Sequence, residues 1–69
     1  MRLSARNQLE GTVVRVEHGA IMSNVVIQLA GGPEVVSAIT KDSAIALAVT
    51  EGDAVTAVIN ATEVMIGKD

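Results

Sequence analysis

Thr12-Val13-Val14-Arg15-Val16 is the stretch that decides the fold, because four of its five residues are β-branched. Valine and threonine are enriched in strands, where their stiff side chains pack well on a pleated surface. The stretch therefore predicts a strand over residues 9–17. His18 and Gly19 follow it, and since glycine reaches positive φ at little cost, this pair predicts a turn into a second strand.

The next residues extend this pattern into two more strands. Residues 20–30 alternate between two faces. One face is apolar and holds Ile21, Val25, Ile27 and Leu29; the other is mixed and holds Met22, Asn24, Val26 and Gln28. Gly31-Gly32-Pro33 ends this strand. Residues 34–40 then form a third strand that is apolar or small on both faces, which is typical of a strand lying between a barrel interior and a partner subunit.

One short helix interrupts the strands. The good helix formers of residues 42–49 recur at helical spacing, and they are Ala44, Ile45, Leu47 and Ala48. Thr40 is a suitable N-cap for this helix, and Asp42 suits the positive end of its dipole.

A turn at residues 50–53 leads to a strand at 54–59, and Asn60-Ala61-Thr62 separates that strand from a fifth at 63–67. The order β-β-β-α-β-β predicts an all-β domain with one short helix, a five-stranded Greek-key barrel of the OB type. A small open sandwich is the alternative. Residues 1–69 are expected to form a single domain.

Composition indicates self-association. The chain has 69 residues, of which 49% are hydrophobic, with no aromatic residue and no cysteine. A chain of this size buries only about 60% of the surface that its unfolded form exposes, and without cysteine no disulfide compensates. Apolar side chains that a small interior does not accommodate mark interfaces. We expect a homo-oligomer.

The charge distribution argues against nucleic acid and membrane partners. The formal net charge is −3, and the five basic residues are scattered, whereas phosphate binding needs clustered lysine and arginine. No apolar run approaches the length of about 18 residues that spans a bilayer. Arg2 and Arg6 precede no apolar segment, so we expect no signal peptide. The lack of cysteine is compatible with a cytoplasmic location.

Three polar segments stand out against the apolar strands, and each has a purely structural interpretation. The segments are Ser4-Ala5-Arg6-Asn7, Thr40-Lys41-Asp42-Ser43 and Asn60-Ala61-Thr62. The first combines a permanently charged guanidinium with hydroxyl and amide donors, a set suited to an anion, although these residues alone are better explained by a solvated terminus. The second and third are explained by helix capping and turn formation.

No catalytic set can be assembled from the sequence. It contains no Ser-His-Asp arrangement, no paired catalytic carboxylates and no phosphate loop of the GxGxxG kind. His18, the only histidine, is interpreted as a turn residue, and we expect that the chain is not an enzyme.

The same residues carry a resemblance to a known family. Ser4-Ala5-Arg6-Asn7-Gln8-Leu9-Glu10-Gly11 resembles the opening signature of the molybdenum-pterin-binding (Mop) proteins, or molbindins, which are TOBE-type domains. Ala57-Val58-Ile59-Asn60-Ala61-Thr62-Glu63-Val64-Met65 resembles their closing signature. Ile39-Thr40-Lys41-Asp42-Ser43 and Glu51-Gly52-Asp53 match in type and position.

The resemblance implies an OB-type domain that assembles into hexamers, as trimers of dimers, and binds molybdate or tungstate at subunit interfaces. It places the oxyanion ligands of one subunit at Ser4, Ala5, Arg6, Asn7, Asn60 and Ala61. The neighbouring subunit would contribute Thr40 and Ser43. A second oxyanion site near the trimer axis would use backbone groups of Gly19 and Ala20. The metal would arrive as an oxyanion, so no side chain is a direct cation ligand.

The implied function is molybdate or tungstate storage in the cytoplasm. Asn60 departs from the family pattern, in which many members have lysine, and this loss of charge would weaken binding or make it depend more on Arg6. Lys41 at the start of the helix could compensate for the lost charge. A molybdopterin ligand is not expected, because no aromatic side chain is present to stack on the pterin ring. Two alternatives stay open: an oligomerisation module with a weakened anion site, and an OB domain that binds nucleic acid.

Overall fold

A computed structural model describes residues 4–69, so Arg2, which enters the signal-peptide expectation, lies outside the described residues. The elements of the described part are β1 (Asn7–His18), β2 (Met22–Leu29), β3 (Glu34–Thr40), α1 (Lys41–Ala46), β4 (Ala54–Ile59) and a 3-10 turn (Ala61–Glu63). The expected β3 and β4 are confirmed residue for residue. None of the helices in residues 4–69 has the length and apolarity to cross a bilayer.

The four strands form one antiparallel sheet in the order β3-β2-β1-β4. The long β1 holds the sheet together, because its first half pairs with β4 and its second half with β2. Asn7 lies opposite Ile59 at one end of β1, and His18 lies opposite Ser23 at the other. The fold is thus mostly β with one short helix, as predicted.

A β-bulge at Val14 bends β1 and changes which residues face inward. Val13 pairs with Ile27 and Arg15 with Val26, which leaves Val14 without a partner. A bulge bends its strand and increases the local twist, so the sheet curls around its apolar face. The buried core on that face consists of Val13, Val25, Ile27 and Ala57, and the partly buried residues packed against it are Val16, Leu29, Ile39, Val49 and Val55.

Both ends of the first hairpin differ from prediction. β1 begins two residues earlier and includes His18, which is therefore a strand residue and not a turn residue. Residues 19–21 form the connection, and β2 starts only at Met22. Ile21 consequently leaves the apolar face, with 76% of its surface exposed. Ser23 is buried on that face beside Val25, and its hydroxyl lies 2.7 Å from the His18 ring.

The helix starts where it was expected but ends earlier. Thr40 is the N-cap, and its side chain accepts a hydrogen bond from the Ser43 N–H. The expected continuation to residue 49 is wrong, because Ala48 adopts a left-handed φ of 53°. The Ala48 N–H then bonds Ile45 O, and the Val49 N–H bonds Ala44 O. This is the Schellman arrangement that ends many helices.

The fifth strand predicted at residues 63–67 is not present. Asn60 caps the 3-10 turn Ala61–Glu63 instead, and no regular element follows among residues 64–69. Met65 and Ile66 are 93% and 94% exposed. A strand needs a ladder of hydrogen bonds with a neighbour, and the apolar alternation of this segment alone does not supply one. The sheet therefore has four strands in the described residues, and the five-strand count is not confirmed.

Candidate functional site

The first polar segment lies beside the third. Residues 4–6 lead directly into β1, and the pairing of Asn7 with Ile59 brings the start of β1 next to Asn60. The side-chain amide of Gln8 donates to the Ala5 carbonyl at 2.8 Å and holds this entry in place. We call Ser4, Ala5, Arg6, Asn7, Asn60 and Ala61 the Arg6 cluster.

Asn60 combines a structural role with a free donor. Its Oδ1 accepts the Thr62 N–H at 3.3 Å, and its carbonyl accepts the Glu63 N–H at 2.9 Å. These bonds fix the corner, while the Nδ2 amide has no partner among the described residues. Asn60 therefore offers a neutral donor on the side of Arg6. Glu63, on the same 3-10 turn, is the nearby carboxylate along the chain.

Thr40 and Ser43 form a directed chain of hydrogen bonds. The Ser43 N–H donates to Thr40 Oγ1 at 3.1 Å, and the Thr40 hydroxyl donates to Ser43 Oγ at 2.7 Å. A hydroxyl has a single proton, so the Thr40 proton is used within the pair. The proton of Ser43 remains for an external acceptor. Both residues are exposed, so the chain ends at the surface.

The turn of the expected second site lies near this pair. Met22 pairs with Thr40, and the Lys41 N–H donates to Ile21 O at 2.7 Å. Thr40, Ser43 and the adjacent turn at residues 19–21 form what we call the Ser43 cluster. Within that turn the Gly19 N–H is already bonded to Met22 O at 2.8 Å. Of the two residues expected at the second site, only Ala20 has an N–H without a described partner.

The two clusters lie at opposite ends of β1. Its 12 residues span roughly 36 Å if straight, at about 3.3 Å per residue, and the longest extent of the molecule is 35 Å. The helix that carries Ser43 contacts β3 and β2, whereas the Arg6 cluster adjoins the β1–β4 ladder. One copy of the chain therefore presents two separate halves of the predicted site.

Neither half lies in the larger cavity of the described residues. This open cleft of about 960 Å³ is lined by residues of β1, β2, β4 and the segment after the helix, and none of the predicted site residues contributes to it. Glu10 and Asp53 place carboxylates in its wall, which makes the cleft unfavourable for an anion. The candidate site is thus exposed in a single copy, and something outside that copy must enclose it.

The contact between His18 and Ser23 was not predicted from the sequence. The bulge places His18 on the same face as Val16, and the Nδ1 of this exposed histidine lies 2.7 Å from the hydroxyl of Ser23, which is 1% exposed. A buried hydroxyl needs a partner, so this contact stabilises the end of the hairpin. The one signal in the sequence was the adjacent pair Val13-Val14, which breaks the alternation of apolar and polar residues in β1.

Comparison with known proteins agrees with this architecture. The TOBE domain family model matches residues 3–66, and the chain belongs to this family of small β domains. Within it, the chain is similar to molybdenum-pterin-binding protein 3 of Clostridium pasteurianum, at 52% identity over 66 residues, covering 96% of this chain and 97% of the relative. The resemblance to Mop proteins stated from the sequence is confirmed.

Solved structures give the same result. A molybdate-binding protein from Sporomusa ovata superposes with a TM-score of 0.91 at 43% identity and covers 99% of this chain and 100% of its own. The cytoplasmic molybdate-binding protein ModG, in a crystal form with molybdate bound, gives a TM-score of 0.84 at 44% identity. The match with ModG covers 88% of this chain and 43% of the ModG chain.

Proposed function

We propose that this protein binds molybdate, and also tungstate, between two copies of the chain. The observation that carries the proposal is the division of the predicted ligands into two halves at opposite ends of β1. The Arg6 cluster brings charge and amide donors, and the Ser43 cluster brings hydroxyl donors. Two copies lying antiparallel would place one half against the other. The named molybdate-binding relatives support the choice of anion.

The chemistry of both halves suits a tetrahedral dianion. Arg6 supplies a fixed positive charge, which makes its hydrogen bonds roughly twice as strong as neutral ones. Ser4, Asn60 and Ser43 add directed neutral donors. Enclosure between subunits would exclude water and strengthen each bond. Binding to an assembled form also stabilises that form by mass action.

Exposed apolar surface supports self-association of this chain. Val36 and Val58 are 63% and 41% exposed on the outer face of the sheet, and Val64, Met65 and Ile66 are exposed beyond the 3-10 turn. Exposed apolar surface of this kind is typical of an interface. We propose a second copy as the occupant, with a hexamer built as a trimer of dimers and an OB-type barrel in each subunit.

The proposed role is storage of the anion in the cytoplasm, without catalysis and without a pterin ligand. Residues 1–69 would act as one binding domain. A second oxyanion would be held near the turn at residues 19–21, where the free Ala20 N–H, and not the engaged Gly19 N–H, supports the interaction. We propose no contact with nucleic acid or with a membrane.

Calorimetric titration of the oligomer with molybdate, tungstate and sulfate tests this proposal. The first two should release heat that sulfate at equal concentration does not match. Arg6→Ala should abolish most molybdate binding, because it removes the only charge of the Arg6 cluster. Arg15→Ala is the matched control, since Arg15 is paired with Glu17 at 2.8 Å on the exposed outer face and should bind as the unmodified protein does.

Two results would contradict the assignment. Unchanged affinity in Arg6→Ala would remove Arg6 from the site. A well-folded oligomer that binds none of these anions would make the domain a structural oligomerisation module, and the neutral Asn60 would be its weakened remnant. Circular dichroism and light scattering on every variant would establish that fold and assembly are intact.

A further inference from the structure

The number of positive charges in the proposed site matters more for a dianion than the number of its neutral donors. The Arg6 cluster holds one cation, Arg6, among its described residues. Arg15 is used in its ion pair with Glu17, and Lys68 lies in the terminal segment beside Asp69. A tetrahedral dianion held by Arg6 alone would keep an uncompensated negative charge, which is costly wherever water is excluded.

Lys41 is the cation that adjoins the Ser43 cluster. It stands between Thr40 and Ser43 in the chain, and its backbone N–H is fixed by Ile21 O at 2.7 Å. Lys41 is half-buried and makes no ion pair within the described residues. Asp42 follows it directly, but successive helical residues do not face each other. The Lys41 ammonium is therefore available to an anion near Ser43.

We infer that Lys41 supplies the second positive charge of the composite site and thereby sets its preference for divalent over monovalent oxyanions. The inference rests on the proposed function. Joining one Arg6 cluster to the Ser43 cluster of a second copy brings one guanidinium and one ammonium to the same anion, two positive charges for the two negative charges of a dianion. The lysine stem is flexible enough to reach an anion at the neighbouring hydroxyl. The charge comes from the side chain, since a helix of six residues contributes little.

Molybdate and perrhenate test this inference, because both are tetrahedral tetraoxo anions and they differ by one charge. Calorimetric titration at low and moderate salt would give the ratio of the two affinities in the unmodified oligomer and in Lys41→Gln. The substitution should weaken molybdate binding by on the order of tenfold, as expected for losing one charge-assisted bond. Perrhenate carries half the charge of molybdate, so its binding should weaken only about threefold and the ratio of the two affinities should fall by about threefold.

Three further variants make the outcome specific. Lys41→Arg keeps the charge and should keep the ratio. Lys68→Gln removes the same charge elsewhere and should leave the ratio unchanged, and Arg2→Gln removes the cation that precedes the Arg6 cluster in the sequence. An unchanged ratio in Lys41→Gln, or a fall that appears in Arg2→Gln instead, would overturn the inference while molybdate binding stands. Absence of molybdate binding in the unmodified oligomer would overturn the proposed function itself.

Discussion

At the scale of single residues, the sequence predicts which side chains are apolar more reliably than which way they point. Val13 and Val16 are both inward, although they differ by an odd number of positions, because Val14 is the unpaired residue of the bulge. Strict alternation therefore assigns the second half of β1 to the wrong face. The same shift explains why His18 contacts Ser23. A bulge is defined by the register between two strands, and the sequence of one strand does not reveal that register.

Gly11 shows how closely β1 approaches β2. A Cβ built at Gly11 would lie 2.6 Å from Ile27 Cγ2 and 2.7 Å from the Gln28 carbonyl oxygen. The backbone oxygen cannot rotate away as a side chain can. We predict that Gly11→Ala lowers the free energy of unfolding by about 2 kcal/mol through overpacking. Denaturant unfolding at a fixed protein concentration measures this, because the stability of an oligomer depends on concentration.

Gly67→Ala is the matched control for that experiment. A Cβ at Gly67 meets no atom within 4 Å, and its φ is not in the left-handed region. Its effect should stay within about 0.5 kcal/mol. Equal stabilities for the two variants would mean that the two strands separate easily at Gly11.

At the scale of elements, the start of the helix was predicted better than its end. The helix start depends on one local bond, from the Ser43 N–H to the Thr40 hydroxyl, and Thr40 is visible in the sequence. The helix end is usually marked by glycine in the left-handed region, but here Ala48 occupies that position. Helical spacing alone therefore extended the helix too far. The packing of Val49 against the core is what draws the chain away from the helix axis.

Ala48 is consequently a strained position that glycine should relieve. A left-handed conformation costs an L-residue roughly 1–2 kcal/mol, and part of the gain from glycine is lost to its unfolded-state entropy. We predict that Ala48→Gly raises the free energy of unfolding by about 0.5–1 kcal/mol. Ala46→Gly, within the last helical turn, should instead lower it by up to about 1 kcal/mol. Thermal and denaturant unfolding would show effects of opposite sign, and a loss in both variants would contradict the left-handed assignment.

At the scale of the whole molecule, the sequence predicts four of the strands and their succession along the chain, whereas the sheet order β3-β2-β1-β4 is seen only in the structure. The predicted fifth strand is not present in the described residues. An alternating apolar pattern shows that a segment has an apolar face, but it does not show which strand the segment would pair with. The candidate site was likewise only partly predictable from the sequence. The sequence contains all the donors, and only the fold separates them into the Arg6 and Ser43 clusters.

The exposed terminal segment should decide whether copies associate. Ile66 is 94% exposed and has no hydrogen-bonded strand beside it in residues 4–69. We predict that Ile66→Asp shifts the protein toward smaller species in analytical ultracentrifugation, because burying an unpaired carboxylate in an apolar interface is unfavourable. Ile66→Leu keeps the apolar surface and should associate normally. An assembly that tolerates Ile66→Asp would place the contact on the outer sheet face around Val36.

Division of the site between copies makes a quantitative prediction about mixed oligomers. Arg6→Ala damages one half and Ser43→Ala the other, so oligomers of either variant alone should bind little molybdate. After the two are unfolded together and refolded at equal amounts, a site is intact where the Arg6 half comes from one variant and the Ser43 half from the other. Random assembly gives this combination in about one quarter of the sites, whether or not the interface is twofold. Equilibrium dialysis with molybdate would count the restored sites. If each site lay within a single chain, mixing the variants would restore no binding. Recovery of binding, compared with the unmixed variants at equal total protein, therefore shows that the site is shared between two chains.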